Sequence, residues 1–166
     1  MTHYCTFETA NGWIALVGVD GKLLRSTLPK NTRKEALAVV EAGLSQDSVE
    51  DRNAFGDLPG RLTRYFAGEN VDFSDIEIDV SSQGPFHAEV QRAAQKIPYG
   101  QLATYRDLAR MAGNERAARA AGSAMARNEV PIIVPCHRVV ASGGIGGFAL
   151  GLEWKRTLLR LEGVDI

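Results

Sequence analysis

Thr104-Tyr105-Arg106-Asp107-Leu108-Ala109-Arg110-Met111, Ala112-Gly113-Asn114 and Glu115-Arg116-Ala117-Ala118-Arg119-Ala120-Ala121-Gly122-Ser123-Ala124-Met125-Ala126 form the stretch on which the fold turns. Thr104 followed three residues later by Asp107 fits a capping box at a helix start. Leu108 and Met111 fall on one inward face. Gly113-Asn114 breaks the helix, and Asn114 is placed to cap a second one running from Glu115 to about Ala126. Two short helices across a glycine turn match a helix-turn-helix, although a plain helical hairpin shares the pattern. The second helix is nearly all Ala, Gly and Ser apart from its arginines and Met125. A helix that reads bases in the major groove projects Asn, Gln, Arg or Lys instead. Small side chains allow close approach, either to another helix or to a minor groove only about 6 Å wide. Arg119 is the exception, a long cation amid alanines. It has the reach to fill the gap left by an extruded base, whose flipping costs roughly a few kcal/mol.

Working outward, Phe86–Ile97 is amphipathic, with Phe86, Val90, Ala93, Ala94 and Ile97 inward and Pro98-Tyr99-Gly100 as its stop. The polar segment Ser81–Gly84 is the best boundary in the chain, giving expected domains over 1–80 and 85–166. The first reads as α/β. Tyr4–Thr9, Trp13–Val19 and Lys22–Leu28 are short strands separated by the hairpin signals Asn11-Gly12 and Asp20-Gly21. Helical spacing follows over Arg33–Leu44, and a second helix opens at Leu58-Pro59, with Leu62, Tyr65 and Phe66 as its apolar stripe. Val71–Val80 alternates as a strand, with Ile76, Ile78 and Val80 on one face. This half shows no chemistry and is expected to serve packing.

The net charge of -1 conceals an asymmetry. Residues 1–84 carry 8 basic and 13 acidic groups, a net of -5, whereas residues 85–166 carry 11 and 7, a net of +4. Most of the second half's positive charge is arginine, whose planar fork suits phosphates and base edges. So small an imbalance permits nucleic-acid binding without requiring it. No apolar run reaches the roughly 20 residues needed to span a bilayer, and Met1–Thr9 has no secretory pattern. Two cysteines, Cys5 and Cys136, make no disulfide framework. The expected location is cytoplasmic, or nuclear in a eukaryote.

The chemistry concentrates at Pro135-Cys136-His137-Arg138-Val139, which follows the apolar run Val130–Val134. A cysteine after an apolar strand is commonly an inert core residue. Here a proline precedes it, forcing irregular backbone that helps expose a side chain. A histidine follows, able to lower its pKa or relay its proton, and then an arginine. In a regular strand Cys136 and His137 would point to opposite faces, so a relay needs a turn or a bridging water.

This segment resembles the active-site signature of the O6-alkylguanine-DNA alkyltransferases. Ile97-Pro98-Tyr99-Gly100, Tyr105, Ala117-Ala118-Arg119-Ala120-Ala121-Gly122, Asn128, Gly146-Gly147-Phe148 and Leu159–Gly163 fall at that family's spacing, so the likeness spans roughly residues 85–164. It implies a ribonuclease-H-like α/β domain followed by a mainly helical domain with a winged-helix-like helix-turn-helix and an active-site loop. It implies irreversible, single-turnover transfer of an alkyl group from O6-alkylguanine in double-stranded DNA to Cys136, with minor-groove binding, base flipping and no cofactor. By resemblance His137 acts through a water and is held by Glu162. Tyr105 donates a proton or hydrogen bond to the flipped guanine, and Asn128 ties the recognition helix to the active-site turn. Arg119 takes the base's place, with DNA contacts at Thr104, Ala117, Ala120, Ala121, Ser123 and Arg127. The pocket is expected to involve Met125, Pro131, Val139, Phe148, Ala149 and Lys155. The carbonyls of Cys136 and Val139 would accept from the guanine amine, Lys155 would support the tyrosine, and Gly143–Gly151 would close over the base.

Phe148, Ala149 and Leu150 depart from the family pattern, which commonly has tyrosine, then small or hydroxyl-bearing residues, and this bears on preference for large adducts. His3, Cys5 and His87 match no zinc motif, so no metal is expected. The expected partner is double-stranded DNA carrying alkylated guanine, with no membrane, and the chain is expected to be a monomer. Three other readings are open. A lesion-binding relative without catalysis would lack the cysteine at 136. A cysteine hydrolase would turn over and need an oxyanion hole. A transcriptional regulator would select undamaged sequence.

Overall fold

Asp20 and Gly21 both have positive φ, 50° and 82°. This is the type I′ geometry whose twist matches that of the flanking strands. In the computed structural model, which describes residues 1–166, this turn joins β2 (Gly12–Val19) to β3 (Lys22–Ser26). β1 (Thr2–Thr9) pairs antiparallel with β2. The turn between them is Ala10-Asn11, since Thr9 pairs directly with Gly12. After α1 (Arg33–Val40), the short β4 (Val49–Glu50) returns parallel to β1, giving the order β3-β2-β1-β4. Ile14, Ala15, Leu16 and Val17 are all fully buried, as expected of a strand covered on both faces. Ala15 and Val17 pack with Ala36 and Val40 of α1, and α2 (Leu58–Phe66) packs against β1.

Two expectations for this part need correction. The helix expected over Arg33–Leu44 stops at Val40 and tightens into a 3₁₀ turn, Glu41–Gly43. Gly43 there lies so close to Arg25 that a Cβ would come within 2.8 Å of its Cδ. Val71–Val80 forms no strand. Asp72 and Asp79 fold back to accept from the N–H groups of Ser74 and Ser81, which diverts the backbone from ladder pairing. One isolated bridge, Leu23 to Ile78, is the pairing that remains.

The chain divides into two units, Met1–Val71 with Asp75–Ser81, and Asp72–Ser74 with Ser82–Ile166. The second contains α3 (Pro85–Gln95), β5 (Ala103–Thr104), α4 (Tyr105–Met111), α5 (Ala118–Ala126), β6 (Val139–Val140) and α6 (Leu152–Leu161). α3, α4 and α5 pack on one another around Val90, Ala94, Leu108, Ala109, Ala121 and Ala124. The capping box forms, with Thr104 accepting from the Asp107 N–H and Asp107 from the Thr104 N–H. α5 starts later than expected, at Ala118. Asn114 accepts from the Arg116 N–H in a local Asx turn, so it shapes the connection and does not cap the helix. β5 and β6 pair in parallel, Ala103 with Val139 and Thr104 with Val140. That ladder sets the start of α4 beside the segment following Cys136. No helix is long and apolar enough to cross a membrane.

Two glycines with open surroundings should respond in opposite senses to a methyl group. A Cβ at Gly21 would meet nothing within 4 Å, but the residue sits at φ 82°, so Gly21→Ala lowers unfolding stability by about 1 kcal/mol. Gly60 lies inside α2 with only the end of Arg64 nearby, and Gly60→Ala raises stability by up to about 1 kcal/mol. Urea unfolding of both variants tests this.

Candidate active site

The approach to the cysteine is irregular throughout. Pro131 and Val134 make one isolated bridge, and Ile132 has a φ of 75°, a costly conformation for a β-branched residue. Cys136–Arg138 is a 3₁₀ turn, not the end of a strand, with the Cys136 carbonyl accepting from the Val139 N–H. This removes the strand-geometry objection, because successive side chains of the turn no longer alternate between opposite faces. It also corrects the expectation of an exposed thiol: Cys136 is only 6% exposed.

Cys136 lines a cavity of about 170 Å³ with Tyr105, Gly122, Met125, Ala126, Gly147, Phe148 and Ala149. Of the expected pocket residues, Met125, Phe148 and Ala149 are therefore at the wall. Pro131, Val139 and Lys155 are buried and are not among the residues lining it. Gly122, Ala126 and Gly147 were not anticipated as lining; their signal was the same run of small residues that marked the helix and the loop.

Asn128 joins the end of α5 to the active-site turn. Its Nδ2 donates to the Val134 carbonyl at 2.9 Å and to Cys136 Sγ at 3.2 Å, while its Oδ1 accepts from the Val130 N–H at 3.1 Å. Burial pushes the Cys136 thiol up to about 11, against the pull of the Asn128 hydrogen bond and the Lys155 charge. The resting group is a thiol, and attack requires a base.

Beside it, His137 Nε2 meets Glu162 Oε2 at 2.6 Å, both side chains fully buried. Arg138 engages the same carboxylate through Nε at 2.8 Å and Nη2 at 3.0 Å, and its Nη1 donates to the Ile97 carbonyl at 2.6 Å. The Gly100 N–H donates to Glu162 at 3.0 Å. Burial raises the Glu162 carboxyl, but hydrogen bonds from His137 and Arg138 outweigh it and hold the group well below the usual carboxylate range. Burial also pushes His137 below the ordinary imidazole value, opposed by Glu162. Arg138 and Gly100 were not anticipated as members of this cluster. Pro98-Tyr99-Gly100 reads in sequence as a helix stop and as part of the family likeness, with no role at the carboxylate.

On the other side, the Tyr105 hydroxyl donates to the Gly147 carbonyl at 3.3 Å, and burial raises its pKa. Lys155 Nζ donates to the carbonyls of Val139 at 2.6 Å and Gly147 at 2.8 Å, 6.0 Å from the Tyr105 ring centre. Burial pushes Lys155 down to about 8. The loop backbone rests on the tyrosine. At Gly146, with φ 74°, a Cβ would come 2.9 Å from the Ala141 nitrogen and 3.1 Å from Tyr105 Cε2.

Arg119 and Arg127 are exposed and make no ion pair, while Ala117, Ala120 and Ser123 are partly exposed. Thr104 is occupied as the cap of α4. Ala121 is completely buried on the inward side of α5, so the expected DNA contact there is corrected: its methyl packs in the core.

Comparison with known proteins shows the family. Residues 85–164 match the family model described as the 6-O-methylguanine DNA methyltransferase DNA-binding domain. A methylated-DNA–protein-cysteine methyltransferase of Metallosphaera sedula is 35% identical over 163 residues, covering 98% of this chain and 94% of that protein. Its counterpart from Methanopyrus kandleri is 45% identical over 127 residues, covering 76% and 95%. A Mycobacterium tuberculosis OGT solved in complex with DNA superposes with a TM-score of 0.75 at 32% identity, covering 97% of this chain and 93% of that one. The similarity runs through both structural units and through the cysteine turn, and the chain belongs to the methylated-DNA–protein-cysteine methyltransferase family.

Proposed function

We propose that this protein repairs duplex DNA by transferring the alkyl group of O6-alkylguanine to Cys136. The observation that carries this reading is a thiol at the wall of a small cavity, followed in the same turn by a histidine whose imidazole is buried against a carboxylate. The relatives' names and the DNA-bound neighbour support the same substrate and partner. On this reading residues 85–166 bind DNA and carry out the transfer, while the N-terminal α/β part serves packing.

In the proposed reaction, His137 accepts the thiol proton through a water. Glu162 holds Nε2–H, which leaves Nδ1 as the basic nitrogen. The sulfur attacks the alkyl carbon; the S–C bond forms as the C–O6 bond breaks, and that electron pair leaves with guanine. Tyr105 donates toward the base as its charge develops, and the proton from the thiol restores the balance. The products are an S-alkyl cysteine and unmodified guanine. A thioether is no leaving group for this site, so each molecule acts once.

A base within the stack cannot reach a sulfur this deeply buried, so the nucleotide must flip. Arg119, exposed on a face of small residues that would let the duplex come close, is the group proposed to fill the gap. Lys155 holds the loop by its Gly147 carbonyl and takes one lone pair of the Val139 carbonyl. The remaining lone pair there, with the Cys136 carbonyl, is proposed to receive the guanine amine.

Incubation with a duplex carrying one O6-methylguanine should add a single methyl mass to the peptide containing Cys136. Cys136→Ala should show no addition while retaining DNA binding. Lesion-selective binding by the unaltered protein without any mass change would favour a lesion sensor instead.

The pH profile follows from the two displaced pKa values. Because that of His137 lies below the ordinary imidazole value, the base form is present from near neutrality upward and is lost as pH falls through that lowered value. Transfer to the unaltered protein should therefore be level above about pH 7 and decline in acid. In His137→Gln the thiol must ionise unaided, and the rate should climb about tenfold per pH unit toward the Cys136 value of about 11. A flat profile in that variant would remove His137 from the mechanism.

Arg119→Ala should slow repair in duplex DNA by tenfold or more, on the order of the unstacking energy it offsets, yet barely alter reaction with free O6-benzylguanine. Equal losses on both substrates would exclude the intercalating role.

A further inference from the structure

The two oxygens of Glu162 receive four donors. Oε1 accepts from Arg138 Nε at 2.8 Å and from the Gly100 N–H at 3.0 Å, and Oε2 accepts from Arg138 Nη2 at 3.0 Å beside the His137 Nε2 contact at 2.6 Å. The carboxylate and imidazole side chains have no exposed surface, and that of Arg138 has only 6%. The guanidinium is anchored independently by the Ile97 carbonyl and by the face of Tyr99, 5.8 Å from its carbon to the ring centre.

A buried carboxylate alone beside an imidazole draws a proton onto the ring, because an opposite charge at hydrogen-bond distance favours the charged form. Such a ring is already protonated and cannot act as a base. Arginine changes this balance, since it does not release its proton and is therefore always present as the compensating charge. With Arg138 paired to Glu162 the unit is neutral, and protonating His137 would leave a buried surplus of one positive charge. The other groups facing His137 do not reverse this. From α6 and its end come the cationic Lys155 and Glu162; from its own turn, Arg138 and the neutral Cys136; the turn after α3 brings Tyr99 against the Arg138 guanidinium, its hydroxyl donating to the Leu161 carbonyl. Only Glu162 favours imidazolium.

We propose that Arg138 is a positioning residue that neutralises Glu162 and thereby keeps His137 uncharged, with Nδ1 free of a proton, at neutral pH. This rests on the reading of His137 as the base. It assigns to the fourth residue of the Pro-Cys-His-Arg run a task distinct from contact with substrate: it lets the same carboxylate orient the imidazole without protonating it.

The test combines a titration with a rate profile on the full chain. The protein has three histidines, so the His137 imidazole resonance is identified by its loss in His137→Gln. In Arg138→Gln its titration midpoint should rise by about one pH unit or more, and the acid limb of single-turnover transfer should move with it. In acid the rate then falls about tenfold for every pH unit by which the midpoint rises, and the loss shrinks as pH passes the new midpoint. Arg138→Lys, which keeps the charge, should restore the midpoint most of the way, and Arg138→Gln combined with Glu162→Gln should lower it again. An unmoved midpoint in folded Arg138→Gln, or an equal rate loss at every pH, overturns the proposal. If that variant does not fold, the unaltered protein decides: a His137 midpoint at or above the ordinary imidazole value overturns it, and one well below, kept in Arg138→Lys, supports it. Failure of the base reading has a separate signature. His137→Gln would then transfer at the unaltered rate across pH while the imidazole midpoint still followed the charge at 138.

Discussion

Glu162 ends α6 with its carboxylate buried, and two other segments converge on it. Arg138 and His137 reach it from the cysteine turn, and the Gly100 N–H reaches it from the turn that closes α3. The energetic character of such a cluster is lopsided. Against a well-packed apolar replacement, a buried ion pair is often neutral or worse, whereas removing one member typically costs about 3–5 kcal/mol by stranding the other charge. The arrangement is therefore best understood as a device for holding groups in a fixed relation. What it holds is the imidazole of the residue that follows Cys136 in the turn.

That relation matters because Cys136 is not activated by its own surroundings. Desolvation keeps it a thiol, with a pKa pushed up to about 11, even though Asn128 donates to the sulfur and Lys155 contributes positive charge. A thiol of this kind is a poor target for oxidants and a poor metal ligand, both of which need the thiolate. Reactivity is confined to the moment when a substrate carbon lies against the sulfur and the proton has somewhere to go. On the proposed reaction, burial thus protects a residue that is used once.

The cavity walls show the same sparing use of side chains. α5 presents Gly122 and Ala126 to the pocket, and the loop lays the backbone at Gly146 directly on the Tyr105 ring. Lys155 and Tyr105 both donate to the Gly147 carbonyl, so the loop and the tyrosine are positioned together. The wall is built largely from small residues and backbone. The specific polar groups are few: Cys136 is held by Asn128 from outside the cavity, and Tyr105 by the Gly147 carbonyl of the loop.

Much of this was legible in the chain because the causes are local. Asp20-Gly21 requires a primed turn, and the Thr104–Asp107 spacing requires a capped helix. The resemblance placed Cys136, His137, Asn128, Tyr105 and Glu162, and the structure brings them around one thiol or one carboxylate. Where local reasoning failed, a competing local interaction or a long-range one had won. Asp72 and Asp79 bonded to their own backbone and dissolved a strand whose hydrophobic alternation looked adequate. Asn114 did the same at the start of α5. Ala121 has the same small side chain as its neighbours, and only the phase of the packed helix turns it inward. Neighbouring residues alone carry the secondary-structure punctuation and the small-residue character of α5, while the choice of Cys136 as the candidate nucleophile came from the resemblance. The sharing of the Glu162 carboxylate by Arg138 and Gly100, and the burial of the thiol, emerge only when the chain is folded. Those facts depend on a side chain 24 residues away and a backbone N–H 62 residues away meeting one carboxylate in a low-dielectric interior, and no local pattern encodes that meeting.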